Sequence, residues 1–233
     1  MDLAKQCVDV GIFTNNLEAM QAFYGDRLGL QFESVLPVGG GMRQHRYLAN
    51  GSVVKLMHSR DPLKPRAAAG YNRLVIADSK VPSPQTLSDP DGNTVELVPN
   101  GHNGVNQIEV HLAVSAPAAY DRFYLEAVGA IRLGAGRYKI GETIFSIEKS
   151  NEAKSSGPAA PFKNALEVVQ AMAALGMRYV TMQVRNCDAA HQSLLAAGAS
   201  EAVAPSNFGT VARICFVRDP DGNFVEISQR PPN

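Results

Sequence analysis

Two near-identical segments lie 130 residues apart: DPDGNTVE at Asp89–Glu96 and DPDGNFVE at Asp219–Glu226 differ at one of eight positions. A match of this length is hard to reach by chance, so the two halves of the chain are related. A second echo joins LEAMQAFYGDRLGL (Leu17–Leu30) to PAAYDRFYLEAVGA (Pro117–Ala130), with Phe23-Tyr24 matching Phe123-Tyr124 at an offset of 100 residues. The offsets differ because the second quarter is short and the second half carries a Gly/Pro/Ser/Ala-rich linker, Ser150–Pro161, with a helical stretch behind it. The division expected from this is a first domain over residues 1–100, with its second module truncated. A second domain covers 101–233, with an inserted linker and helix at 150–176.

Each quarter repeats one plan. In the first, Cys7–Phe13 reads as a strand, Asn15 or Asn16 caps a helix carrying apolar Leu17, Met20, Tyr24 and Leu28, and Gly29 ends it. Strands at Gln31–Pro37, Met42–Leu48 and Ser52–His58 follow, the last two joined by Asn50-Gly51, a strong hairpin signal. The third quarter places a strand at Gln107–Val114, Pro117 at a helix start, and strands at Gly136–Ile140 and Thr143–Glu148. The fourth has a strand at Arg178–Val184, a helix capped by Asp188, and strands at Val211–Val217 and Phe224–Ser228 around the second DPDG turn. Only the second quarter departs: between Asn72–Ile76 and its DPDG turn the residues KVPSPQTLS are too few and too proline-rich for a helix. The fold class is therefore α+β, four βαβββ modules with the second truncated.

Twenty-two Lys and Arg balance 22 Asp and Glu, which removes the field that non-specific nucleic-acid binding relies on. With 45% hydrophobic and 19% charged residues there is material for a core, and no apolar run is long enough for a membrane span. A small-molecule ligand is expected, with neither nucleic acid nor membrane as partner. The opening MDLAKQCVDV lacks a signal-peptide pattern, so a cytoplasmic location is expected. Cys7, Cys187 and Cys215 are odd in number and form no C-x-x-C pair, which fits reduced thiols.

The repeated DPDG-x-x-x-E turns, the strand-then-helix signature ending in Phe-Tyr and the four-module length resemble the vicinal oxygen chelate superfamily. Its members include glyoxalase I, bleomycin and fosfomycin resistance proteins, and extradiol dioxygenases. The resemblance implies paired modules curled into two half-barrels, each with a concave face able to carry a site, and a divalent metal held by His, Glu or Gln. It places the last-strand carboxylate at Glu96 and Glu226 and the first-strand histidine at Asp9, Glu109, Asn72 and Tyr179. The remaining position falls at Lys55 and Phe145. None of these is histidine, so the two-His, one-carboxylate set of ring-cleaving dioxygenases is not assembled. Glu109 and His111 share a strand face, and with Glu226 they form a three-donor set if modules three and four pair. The cofactor is then one divalent ion (Fe, Mn, Ni, Zn or Mg), or none.

Across the Asn50-Gly51 turn Arg46 opposes Lys55, so both point into the cleft as an anchor for an acid group, with Asp9 as counter-charge. Tyr138 opposes Phe145 across a turn at Gly141-Glu142, and these two rings with Tyr179 are expected to form an aromatic wall. The reading that follows is an enzyme acting on a small carbonyl or aromatic organic acid. Its chemistry is of the lyase or isomerase type, with Glu226 as base and Tyr179 beside it, transferring a proton next to a carbonyl. The alternatives are a metal-free protein that sequesters its ligand and, third, an extradiol dioxygenase. The apolar stretch Asn164–Gly176 is expected to cover the surface left open by the missing helix of module two, or to meet a second subunit as a homodimer.

Overall fold

A computed structural model describes residues 1–66, 70–153 and 159–231. The first quarter runs β1 (Asp9–Thr14), α1 (Leu17–Gln21), β2 (Gln31–Gly39), β3 (Met42–Ala49) and β4 (Ser52–Ser59). The second holds β5 (Gly70–Ala77), β6 (Gln85–Ser88) and β7 (Thr94–Val98), with no helix among its described residues. The third runs β8 (Ile108–Val114), α2 (Pro117–Arg122), β9 (Ile131–Gly134), β10 (Arg137–Ile140) and β11 (Thr143–Lys149). The last comprises α3 (Ala165–Ala171), β12 (Gly176–Gln183), α4 (Cys187–Ala196), β13 (Ser200–Phe208), β14 (Ala212–Arg218) and β15 (Phe224–Gln229). The short strands β6 and β9 and the long β13 add to the expected set. Asn186 caps α4 through its side chain, in place of Asp188.

Asn50 and Gly51 both adopt positive φ, 49° and 89°, as a two-residue hairpin turn requires. The register that follows pairs Leu48 with Val53 and Arg46 with Lys55, and puts Tyr47, Val54 and Leu56 on the opposite face, in the core. The modules pair in a nested order. One half-barrel, here the outer, is an eight-stranded sheet β13-β14-β15-β12-β1-β4-β3-β2, joining the first quarter to the fourth. The inner half-barrel is a seven-stranded sheet β6-β7-β5-β8-β11-β10-β9, joining the second to the third. Each half-barrel thus takes one module from each half of the chain, and the helices of both pack with the sheets' convex faces into one large apolar core.

The DPDG turns pin these layers. Asp89 Oδ1 accepts the backbone N–H of Asp91 and Asn93, while Oδ2 accepts the Tyr24 hydroxyl at 3.0 Å and the Asn93 side-chain amide. Asp219 repeats this with Asp221, Asn223 and the Tyr120 hydroxyl, also at 3.0 Å. Each buried carboxylate therefore anchors a turn and the helix of another module.

The inserted segment takes a different place from the one expected. Asn164 caps α3 by accepting the Glu167 N–H, and Glu167 accepts the N–H of Lys163, one residue before the cap. Val168, Val169 and Met172 of this stretch are buried against Met57, Ala202, Ile214 and Phe216, on the concave side of the outer sheet rather than over module two. The Arg218 guanidinium holds the approach to α3. It lies between the Phe162 and Phe224 rings, 5.2 and 5.8 Å from their centroids, and donates to the carbonyls of Ala159 and Ala160. Among the described residues, no helix is long and apolar enough to cross a membrane.

Candidate functional site

The concave face of the outer half-barrel encloses a cavity of about 370 Å³, walled mainly by Leu36, Val38, Met57, Phe208, Ile214 and Phe216 and roofed by Leu166 and Val169 of α3. Its polar end is made by Gln44, Tyr179 and Glu226. β12 lies beside β1, with Asp9 opposite Thr181 and Gly11 opposite Tyr179. Glu226, on β15, is level with Thr181.

Lys55 is 3% exposed. Its ammonium lies 3.0 Å from Glu226 Oε2, donates to Thr181 Oγ1, and sits 5.3 Å from the centroid of the Tyr179 ring. The Thr181 hydroxyl in turn donates to Glu226 Oε2. Among the described residues nothing bonds Glu226 Oε1, the oxygen left for the cavity. The Tyr179 hydroxyl accepts from Gln44 at 3.3 Å and donates to Met57 Sδ at 3.4 Å. Burial, with the Glu226 charge second, raises the Tyr179 pKa well above the phenol range, so the hydroxyl stays a donor. Gly11 makes room for this ring: a Cβ there would lie 1.9 Å from Tyr179 Cε1.

Arg46 is buried and reaches Glu33 and, at 2.9 Å, Gln44 Oε1. The expected counter-charge differs. Asp9 is fully buried and holds Lys5, the Val53 N–H and Gln183, while Lys55 takes Glu226 and Arg46 takes Glu33. Sequence reasoning named Arg46, Lys55 and Asp9 for the cleft of residues 1–100 and Glu226 and Tyr179 for residues 101–233; the structure brings all five to one half-barrel, with Thr181, Gln44, Met57 and Gly11, which that reasoning missed. Gln44 was within reach, since it is two residues from Arg46 and so on the same face.

The other expected residues lie in the inner half-barrel. Tyr138 does oppose Phe145, but both rings pack on Tyr124 beneath the helix, with centroids 4.9 and 5.4 Å away, instead of facing a cleft. The reason is a one-residue slip, which turns every side chain to the other face. Lys55 pairs with Gly11, whereas Ser146 pairs with His111, so the counterpart of Lys55 on this concave face is Ser146. Glu109 and His111 do meet, at 3.2 Å, but Glu226 does not join them because it belongs to the other sheet.

Glu109 is the hub of a second cavity, of about 420 Å³. Arg137 Nη2 lies 2.9 Å from its Oε2, and Ser146 donates to its Oε1. Arg73 Nη2 lies 2.8 Å from His111 Nδ1 and its Nη1 3.5 Å from Glu96 Oε2. An arginine can only donate, so Nδ1 accepts and the imidazole proton sits on Nε2, facing Glu109. Burial works against the Glu109 charge, but the hydrogen bonds from His111, Arg137 and Ser146 outweigh it and hold the group at about 2, below its ordinary 4.5. A carboxyl depressed by folding stabilises the fold above its unfolded value and loses that contribution as pH falls through the folded one. The stability gap between wild type and Glu109→Gln is therefore expected to shrink between pH 4.5 and about 2 in urea titrations. A gap constant over that window would refute the assignment.

The metal that the resemblance implies does not fit these residues. In the outer half-barrel an ammonium already occupies the space between Glu226 and Thr181, and two cations would repel there. In the inner one Arg137 and Ser146 saturate Glu109, and Arg73 covers the one free lone pair of His111. Among the described residues, no three His, Cys, Asp or Glu side chains are grouped so as to hold an ion.

The fold has many solved counterparts. Glyoxalase I from Zea mays superposes with a TM-score of 0.71 at 14% identity, over 96% of this chain and 92% of that one. A Bacillus subtilis protein described as a candidate dioxygenase gives 0.67 at 13% identity, over 100% and 86%. At such identities the likeness shows the fold alone. No curated protein matches the chain in sequence. The family model for the glyoxalase/bleomycin resistance protein/dioxygenase superfamily matches residues 6–81 and 104–227, most of both halves. The chain therefore belongs to the glyoxalase/bleomycin resistance protein/dioxygenase superfamily, within the vicinal oxygen chelate fold.

Proposed function

We propose that the outer half-barrel is the active site of an enzyme that moves a proton next to the carbonyl of a small apolar or aromatic organic acid, in lyase or isomerase chemistry. The observation that carries this reading is Glu226. Its Oε2 is fixed by Lys55 and Thr181, its Oε1 is left for the cavity, and the walls are apolar apart from Gln44, Tyr179, Asn164, Ser206 and Asn207. A positioned carboxylate of this kind acts as a general base. The charge that develops on the carbonyl oxygen as the proton leaves would be met by the Gln44 amide and by the Tyr179 hydroxyl turned from Met57, both of which line the cavity. The cavity, about 370 Å³, holds on the order of a dozen non-hydrogen atoms if each takes the volume of a water. Leu166 and Val169 of α3 would exclude solvent above it.

The test is exchange of α-protons with deuterium from solvent, followed by NMR over a panel of small keto acids and aryl ketones. The wild type is expected to exchange at least one member, and Glu226→Gln to slow that exchange roughly a hundredfold or more. A second reading, sequestration of an apolar ligand without chemistry, is favoured by the α3 roof and the mostly apolar walls. Tight binding with no exchange in the wild type would select it.

A further inference from the structure

The inner half-barrel carries charged groups that the proposed reaction leaves unused. Two guanidinium groups line its cavity, each fixed by partners that line it too: Arg137 by Glu109, through Nη2 at 2.9 Å and Nε at 3.4 Å, and Arg73 by His111 and Glu96. A guanidinium has five N–H donors. Among the described residues, Arg137 commits two of them to Glu109, and Arg73 commits one to His111 and a long one to Glu96, so both keep donors for the cavity. The acceptors are fewer. Among the described residues of the lining, Glu109 takes Arg137 twice, Ser146 and His111, which leaves one oxygen of Glu96 and the side-chain oxygen of Asn103 unbonded.

An excess of donors on two pre-oriented forks selects anions, and the planar fork matches a carboxylate better than a point charge does. Val75, Val98 and Val105 line the same cavity and form part of a small buried apolar cluster, a surface for a short carbon chain. We infer that the inner half-barrel is a second ligand site, for a small dicarboxylate with one carboxylate on Arg73, the other on Arg137, and the carbons on the valines. The site shares no residue with the Glu226 cavity, so it stands or falls independently of the proposed reaction.

The experiment is isothermal titration of the whole protein with succinate and malonate in low-salt buffer, with acetate, inorganic phosphate and sulfate as comparison anions. Saturable binding of a dicarboxylate, tighter than of any comparison anion, is expected. Loss of a charge-assisted hydrogen bond in Arg73→Gln should weaken it roughly tenfold or more. Arg73→Lys keeps the charge without the fork and serves where the Gln variant is unstable; it too should bind more weakly than wild type. Tyr179→Phe, in the other cavity, should bind as the wild type does. No saturable heat, equal affinity for phosphate, unchanged affinity in both Arg73 variants, or loss of binding in Tyr179→Phe would each overturn the assignment.

Discussion

Lys55→Met is expected to cost about 3–5 kcal/mol of folding stability, the range found when one member of a buried ion pair is removed. The methionine fills much of the same volume, so the loss comes from charge. Lys55 is 3% exposed and the Glu226 side chain 13%, and without the ammonium the carboxylate keeps only the Thr181 hydroxyl. The cation–ring contact with Tyr179 goes as well. The double variant Lys55→Met/Glu226→Gln removes both charges and is expected to regain most of the stability in urea unfolding, while remaining inactive. If the single variant unfolds within about 1 kcal/mol of wild type, Glu226 has a partner other than Lys55 and the pair is not the organising element of the cavity.

Asp219→Ala is expected to be comparably severe for a different reason. Four donors converge on this carboxylate: the N–H groups of Asp221 and Asn223, the Asn223 amide and the Tyr120 hydroxyl. The alanine leaves them unpaired in a site where the aspartate is 4% exposed. Stranded buried donors cost about 1–3 kcal/mol each before relaxation, so a net loss of roughly 3–5 kcal/mol is expected. For a chain of this size, that lowers Tm by on the order of 10 °C in calorimetry. Asp221→Ala is the comparison. Its side chain instead accepts from Ser115, away from this centre, so a smaller loss is expected, and a loss equal to that of Asp219→Ala would show that the four-donor centre is not what sets the cost.

These two effects separate what the sequence could disclose from what it could not. Local chemistry was readable: Asn50-Gly51 announces its turn, and two copies of DPDG announce a repeated structural unit because an aspartate at that position closes its own turn. Alternation along a strand then placed Arg46 and Lys55 on one face. Facts that depend on contacts distant in the chain were hidden. That Glu226 neutralises Lys55 requires β15 and β4 to lie on the two sides of the β1–β12 seam. Nothing in the spacing of the modules chooses that pairing over the pairing of neighbours. The face of Phe145 turned on a single residue of alignment, and a repeat this diverged does not fix alignment to one residue outside its DPDG segments. Gly11 looks like any strand glycine until Tyr179 is seen lying over it.

The nesting of the modules also orders assembly in time. The inner sheet joins β5 to β8, close along the chain, whereas the outer sheet must bring Asp9 to Thr181. Closing the longer loop costs more entropy, and contacts of large separation slow folding. During synthesis β1 therefore waits, with an open strand edge, until β12 has been made. The outer cavity is the last part of the molecule to exist, and a ribosome that stalls before β15 releases a chain whose inner half-barrel is complete and whose outer one still lacks Glu226.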